Sequence, residues 1–242
     1  MNVLTPVILV CNEEYWLPYV LEASRGHFSR YVIYDVGSTD RTREVIDWFR
    51  DTSPGVEFVV RFLPMVTPQV QGTFRNSMIA EAESHSYLIL DGDELYTPEG
   101  FQEARIAASK MEVGKLYGIV RRQEWTEDLR AAYGINRKTP HHRIYHRRAY
   151  FRGTHPGEAP VPDITPRNER WFEQIVCHHF HHCARSPVDA CVPGRFARKD
   201  NATYHRGETV AADLFEALPI LRKPIESFRV NPYLAEMQRR SP

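Results

Sequence analysis

The sequence lacks a charge excess of either sign: 31 Lys and Arg stand against 31 Asp and Glu. A balanced chain has no global field to recruit nucleic acid or an anionic membrane. Nucleic acid is therefore not an expected partner, and only peripheral contact with a membrane stays open. Long apolar runs are missing too; none approaches the ~20 residues of a membrane span. Cysteine is scarce, with Cys11, Cys177, Cys183 and Cys191 the four in 242 residues. They do not form the paired CxxC spacing of a zinc ribbon. Glu13 and Glu14 come too early for a signal peptide. The expectation is a cytoplasmic protein with free thiols. No repeat or low-complexity segment is found. What is present, 42% hydrophobic and 26% charged residues, is the composition of a soluble globular chain.

One stretch organises the rest: Tyr87-Leu88-Ile89-Leu90-Asp91-Gly92-Asp93-Glu94. A short apolar run is the usual look of a buried strand. The acids then stand at its carboxyl end, where open α/β sheets bind ligands. In extended chain Asp91 and Asp93 would share a side, about 6–7 Å apart at Cα. Gly92 leaves the approach unobstructed and permits a turn. The pair suits Mg²⁺ or Mn²⁺, which take one or two protein carboxylates and fill the rest of the shell with water and phosphate. The plainer reading is a strand end followed by a polar turn.

Strands and helices alternate on both sides of this stretch. Val7 to Cys11 reads as a strand. Asn12-Glu13-Glu14 ends it and opens a helix, with Asn12 as N-cap. Tyr31 to Asp35 is a second strand, followed by the polar turn Gly37-Ser38-Thr39-Asp40 and a helix from Thr42 to Phe49. Val56 to Leu63 is a third strand, and Phe74 to Glu83 a helix carrying Arg75 and Asn76. Such alternation argues for a mostly parallel sheet flanked by helices, the α/β class. Past Pro98 the spacing loosens. A helix is expected from Phe101 to Met111, with strands at Lys115 to Arg121, Arg143 to His146 and within Glu169 to His182. Pro219, Pro224 and Pro232 should interrupt any helix in the tail.

Several of these pieces together resemble a family 2 glycosyltransferase of the GT-A fold. They are Cys11-Asn12-Glu13-Glu14, Asp35-Val36-Gly37-Ser38-Thr39-Asp40-Arg41-Thr42, Arg75-Asn76 and Asp91-Gly92-Asp93-Glu94, in the family's order. Farther on, Trp125, Arg143-Ile144-Tyr145, His155-Pro156-Gly157-Glu158 and His178 resemble small members that build surface polysaccharide or lipopolysaccharide cores. Lys199 and Tyr204 extend the match. Val36 departs from the family, which often has a second acid there, and Pro156-Gly157 separates a His and a Glu that many relatives keep adjacent. The resemblance implies one GT-A domain over 1–210, divided into a nucleotide-sugar half (1–97) and an acceptor and metal half (98–210), with a helical tail over 211–242.

It also implies an activity: transfer of a sugar from a nucleoside diphosphate sugar, UDP-linked as first choice, to a hydroxyl of a carbohydrate acceptor. Cys11, Asn12, Glu13, Asp35, Ser38, Arg75, Asp91, Gly92 and Asp93 are the donor-side residues. Asp93 is the first ligand for Mn²⁺ or Mg²⁺, with His155 or His178 completing the site. Trp125 could stack on the acceptor sugar, although a core Trp reads the same way. Glu158 is the preferred general base, with Asp128 and Glu127 as alternatives. The run Cys177-His178-His179-Phe180-His181-His182-Cys183 offers zinc-type ligands, but consecutive strand residues fit a tetrahedral shell poorly. Two other readings stand beside this one. A nucleotidyltransferase would carry a Gly-rich, Lys-bearing loop where Asn12-Glu13-Glu14 stands. A non-catalytic sugar-binding module would not need Asp91 and Asp93 intact.

Overall fold

Along the first strand, Leu4, Ile8 and Val10 pack into one apolar cluster and Val7 into another. The second strand divides the same way, Tyr31 and Ile33 from Val32 and Tyr34. Alternating side chains that are apolar on both faces demand a layer on each side of the sheet. The computed structural model, which describes residues 2–65, 71–111, 114–133, 140–153, 159–188, 208–225 and 228–240, has those layers.

The strands are β1 (Asn2–Val10), β2 (Arg30–Val36), β3 (Glu57–Leu63), β4 (Ser84–Ile89), β5 (Glu94–Leu95), β6 (Tyr117–Glu124), β7 (Ala131–Tyr133), β8 (His141–His146), β9 (Tyr150–Arg152), β10 (Ala159–Val161), β11 (Glu169–His179) and β12 (Thr209–Ala211). The helices are α1 (Leu17–Ser24), α2 (Thr42–Asp51), α3 (Gln71–Ala82), α4 (Pro98–Ser109), α5 (Leu214–Ala217) and α6 (Pro232–Arg240). Leu17 of α1, Val45 of α2 and Phe101 of α4 join one face of the sheet, and Met78 of α3 joins the other.

Eight strands form the main sheet in the order β3-β2-β1-β4-β8-β6-β11-β5. The first four are mutually parallel, β6 is parallel to β11, and β8 and β5 run against their neighbours. One rim therefore collects the carboxyl ends of β1, β2, β3, β4, β6 and β11 and the amino ends of β8 and β5. Glu124, His179, His141 and Glu94 sit on that rim together with the loops that carry Asn12, Ser38 and Asp91.

Two local expectations are corrected. The helix expected from Asn12 begins only at Leu17, because Asn12 takes a left-handed φ of 53° and serves a turn instead. Pro219 and Pro232 begin helical turns rather than break them. At the first helical position the missing N–H costs nothing and the fixed φ suits the helix. Leu214, Leu218, Leu221 and Leu234 of the tail are buried in the main core.

Candidate functional site

The rim is built loop against loop. The Asn12 N–H donates to Ser38 Oγ (2.8 Å), and Asn12 Oδ1 accepts from Thr39 N–H (2.7 Å) and Asp40 N–H (3.3 Å). The loops after β1 and β2 thereby satisfy each other's backbone. Asp35 is fully buried and belongs to the same lock: it accepts from the Ser38 N–H (3.0 Å) and hydroxyl (2.5 Å), and its other oxygen from Arg43 Nε (2.7 Å). Both carboxylate oxygens are thus engaged inside the chain, and Asp35 shapes the loop after β2. Gly37 has φ 89°, and a Cβ there would lie 2.4 Å from the Met65 backbone. Cys11 lies beside the same residue, Sγ 4.0 Å from Met65 Sδ.

Beyond β4 the chain turns at Gly92 and Asp93, so Asp91 and Asp93 do not share a side. Asp91 turns toward Arg75 (3.2 Å) and Arg143 (3.1 Å). Arg75, expected to face a donor, is held by this pair. Gly92 passes close under the first loop, where a Cβ would come 2.8 Å from Glu13 Cγ. Asp93 turns inward and is 1% exposed. Its Oδ2 meets Arg185 Nη2 (2.9 Å) and His179 Nε2 (3.4 Å). One ligand atom from each of Asp93, His179 and His181 lies within 4.8 Å of the other two.

Charge in this buried layer is closely matched. Burial would raise the Asp93 carboxyl, but Arg185 and then His179 hold it well below the usual carboxylate range. Burial would lower His179; Asp93 on one ring nitrogen and Glu124 on the other push it up instead, to about 9. His181 is driven the other way, to about 3, by burial and by the positive His179 and Arg185 beside it. It stays neutral beside two positive neighbours. Glu124 is bound by His182 (3.2 Å) and Arg122 (3.2 Å).

A second group, Glu94, His141 and Cys177, lies equally close together. Its cation is already present: Arg143 donates to Glu94 through Nε (3.0 Å) and a short Nη2 contact. Arg143 and His141 hold Glu94 low against its burial, and burial pushes the Cys177 thiol up, so that it stays protonated. This group braces Asp91 rather than offering a ligand shell.

The donor-side expectations therefore converge. Cys11, Asn12, Glu13, Asp35, Ser38, Arg75, Asp91, Gly92 and Asp93 all lie on one rim, although Asp35 and Arg75 are engaged internally. Two others are displaced. His178 does not face Asp93; it stacks on Trp125, whose Nε1–H donates to His178 Nδ1 (3.3 Å), and burial lowers it to about 4. Trp125 is 1% exposed, a core residue with no face for an acceptor sugar. Asp128 closes a turn, accepting from Thr126 Oγ1 (2.7 Å) and Arg130 N–H (3.2 Å), and the first of these bonds helps lower its carboxyl. His155 and Glu158, like Cys191, Lys199 and Tyr204, lie outside the described residues. His179, His181, Arg185 and Glu124 were not foreseen in these positions. The histidine run was visible in sequence, but not which members turn inward.

No family model matches the sequence, and no curated protein does. Solved structures do share the fold. TarS 1–349 from S. aureus, in complex with UDP-GlcNAc, superposes with a TM-score of 0.53 at 12% identity, over 92% of this chain and 65% of that one. The same TarS segment, in a second crystal structure, gives 0.52 at 14% identity, over 85% and 68%. A mannosyltransferase from Pyrobaculum calidifontis, in complex with GDP-Man and Mn²⁺, gives 0.50 at 12% identity, over 81% and 68%. Against a longer TarS crystal structure the match spans only 30% of that chain. These are GT-A folds, and the sheet described above is one as well.

Proposed function

We propose that this GT-A chain transfers a sugar from a nucleoside diphosphate sugar to a carbohydrate hydroxyl, with Mn²⁺ or Mg²⁺ bound at Asp93. A UDP-sugar is the first choice of donor. The observation that carries the reading is the inward-facing set of Asp93, His179 and His181 on the rim where the donor-side loops meet. One carboxylate and two imidazoles leave room in a cation's shell for water and phosphate oxygens. Fold-mates that hold UDP-GlcNAc, or GDP-Man with Mn²⁺, support the same assignment.

Asp93, His179 and His181 would hold the ion, which supplies positive charge to the departing diphosphate. His179 must give up its extra proton before it can ligate. Arg143 and Arg75 fix Asp91 next to this set, where its carboxylate can meet the ribose or an ion-bound water. Glu13 and Gly92 pack the first loop against the acidic turn and so set the depth of the donor cleft. Glu158 remains our base for the acceptor hydroxyl. Asp128 is second to it, because its turn bonds lower its basicity. We assign residues 1–210 to one catalytic domain with its tail packed on the core, and we place the protein in the cytoplasm. Among the described residues no helix is long and apolar enough to cross a membrane.

The test is a donor screen. Release of nucleoside diphosphate from UDP-, GDP- and TDP-sugars should depend on Mn²⁺ or Mg²⁺, stop with EDTA, and be lost in Asp93→Asn. Full activity of Asp93→Asn in EDTA would end the reading.

A further inference from the structure

Arg185 reaches the centre of this site from the loop after β11. Its Nη2 lies 2.9 Å from Asp93 Oδ2 and 3.4 Å from His181 Nδ1, while Nη1 lies 3.0 Å from Glu13 Oε1. Two of the three groups assigned to the ion are thus occupied by one guanidinium. A bound ion needs the same Asp93 carboxylate, and it would sit against a like charge. Guanidinium and ion exclude each other.

The backbone beneath Arg185 is fixed. Tyr15 N–H donates to the Arg185 carbonyl (2.9 Å), and the Ala184 carbonyl accepts from both Trp16 Nε1–H (2.9 Å) and Asn231 Nδ2–H (2.9 Å). Only the side chain is left to move. Glu13 gives it somewhere to stay, since Nη1 can keep that partner while Nη2 leaves Asp93.

We propose that Arg185 is the resident cation of the Asp93 site, which a divalent ion must displace, so that Arg185 sets the ion affinity. This rests on the ion site proposed above. It assigns Arg185 a specificity-setting role: the site rejects monovalent and weakly held cations, because any entrant must outcompete a tethered guanidinium.

The experiment is a Mn²⁺ titration followed by electron paramagnetic resonance of free Mn²⁺, on wild type, Arg185→Gln and Asp93→Asn. If the guanidinium fills the site in nine molecules of ten, its removal should tighten binding by about tenfold. Asp93→Asn should bind no ion there. Equal or weaker binding by Arg185→Gln, with binding still lost in Asp93→Asn, overturns the inference and leaves the ion site standing. Unchanged binding in Asp93→Asn removes both. Wild type provides a check that does not depend on the variant folding: the Arg185 side-chain ¹⁵N resonance should move saturably with Mg²⁺. A resonance that stays put at saturating Mg²⁺ overturns the proposal.

Discussion

His181 faces Asp93 and His178 faces Trp125, and burial holds both rings neutral. Their chemistry separates on that placement alone. His181→Ala should weaken Mn²⁺ binding by about tenfold or more, since even partners behind a metal ligand are worth 10–100-fold. His178→Gln keeps an acceptor for the Trp125 N–H and should leave Mn²⁺ binding unchanged. Calorimetric titration of the two variants checks this, and the reverse pattern would make His178 the ligand. Asp93 was legible from sequence because three acids after an apolar run stand out in any chain. His179 was not, because the register of β11 against β6 shifts between Phe172 and Val176. A bulge resets which face each later residue occupies, and nothing in the alternation of the sequence announces it. Asp35 was found in the right place, but its occupation by Ser38 and Arg43 depends on side chains that only the folded loop brings together.

At the scale of elements, the strands of the first half were legible because each is a short apolar run ended by a polar turn. β6, β8 and β11 were visible as strands, whereas the antiparallel insertion of β8 between β4 and β6 was not, since pairing order leaves no local mark. The loops after the parallel strands carry the site, and the one after β2 has little slack. Gly37→Ala would place a Cβ against the Met65 backbone at a φ that only glycine adopts easily. It should cost about 1–3 kcal/mol in stability, the usual range for overpacking. The Ser38 contacts to Asn12 and Asp35 should be disturbed with it. Urea denaturation measures the first effect and nucleoside diphosphate binding the second. A fully stable Gly37→Ala variant would show that the loop can open away from Met65.

Among the described residues, several strongly shifted titratable groups are buried together on the rim, and stability should follow pH from both sides. His141, His178 and His181 have folded values lowered to about 3, 4 and 3. A chain unfolded at pH below about 6.5 takes up protons that these rings refuse when folded. Their stabilising contribution is complete above about 6.5 and is lost as pH falls toward 4. His179 acts oppositely: raised to about 9, it stabilises most below about 6.5, and that stability fades as pH rises through about 9. Between pH 7 and 4.5 wild type should therefore lose about 2 kcal/mol more than His178→Gln, at about 1.4 kcal/mol per pH unit. Equal losses in denaturant melts at the two pH values would show that His178 is not held neutral. The Ala184 carbonyl has a consequence in time. It joins Trp16 to Asn231, which follows it by more than two hundred residues in the sequence. On a ribosome the amino-terminal strands can pair early. The brace that steadies Arg185 waits until the residues around Asn231 have emerged, so a growing chain carries its acidic turn before it carries the finished clasp.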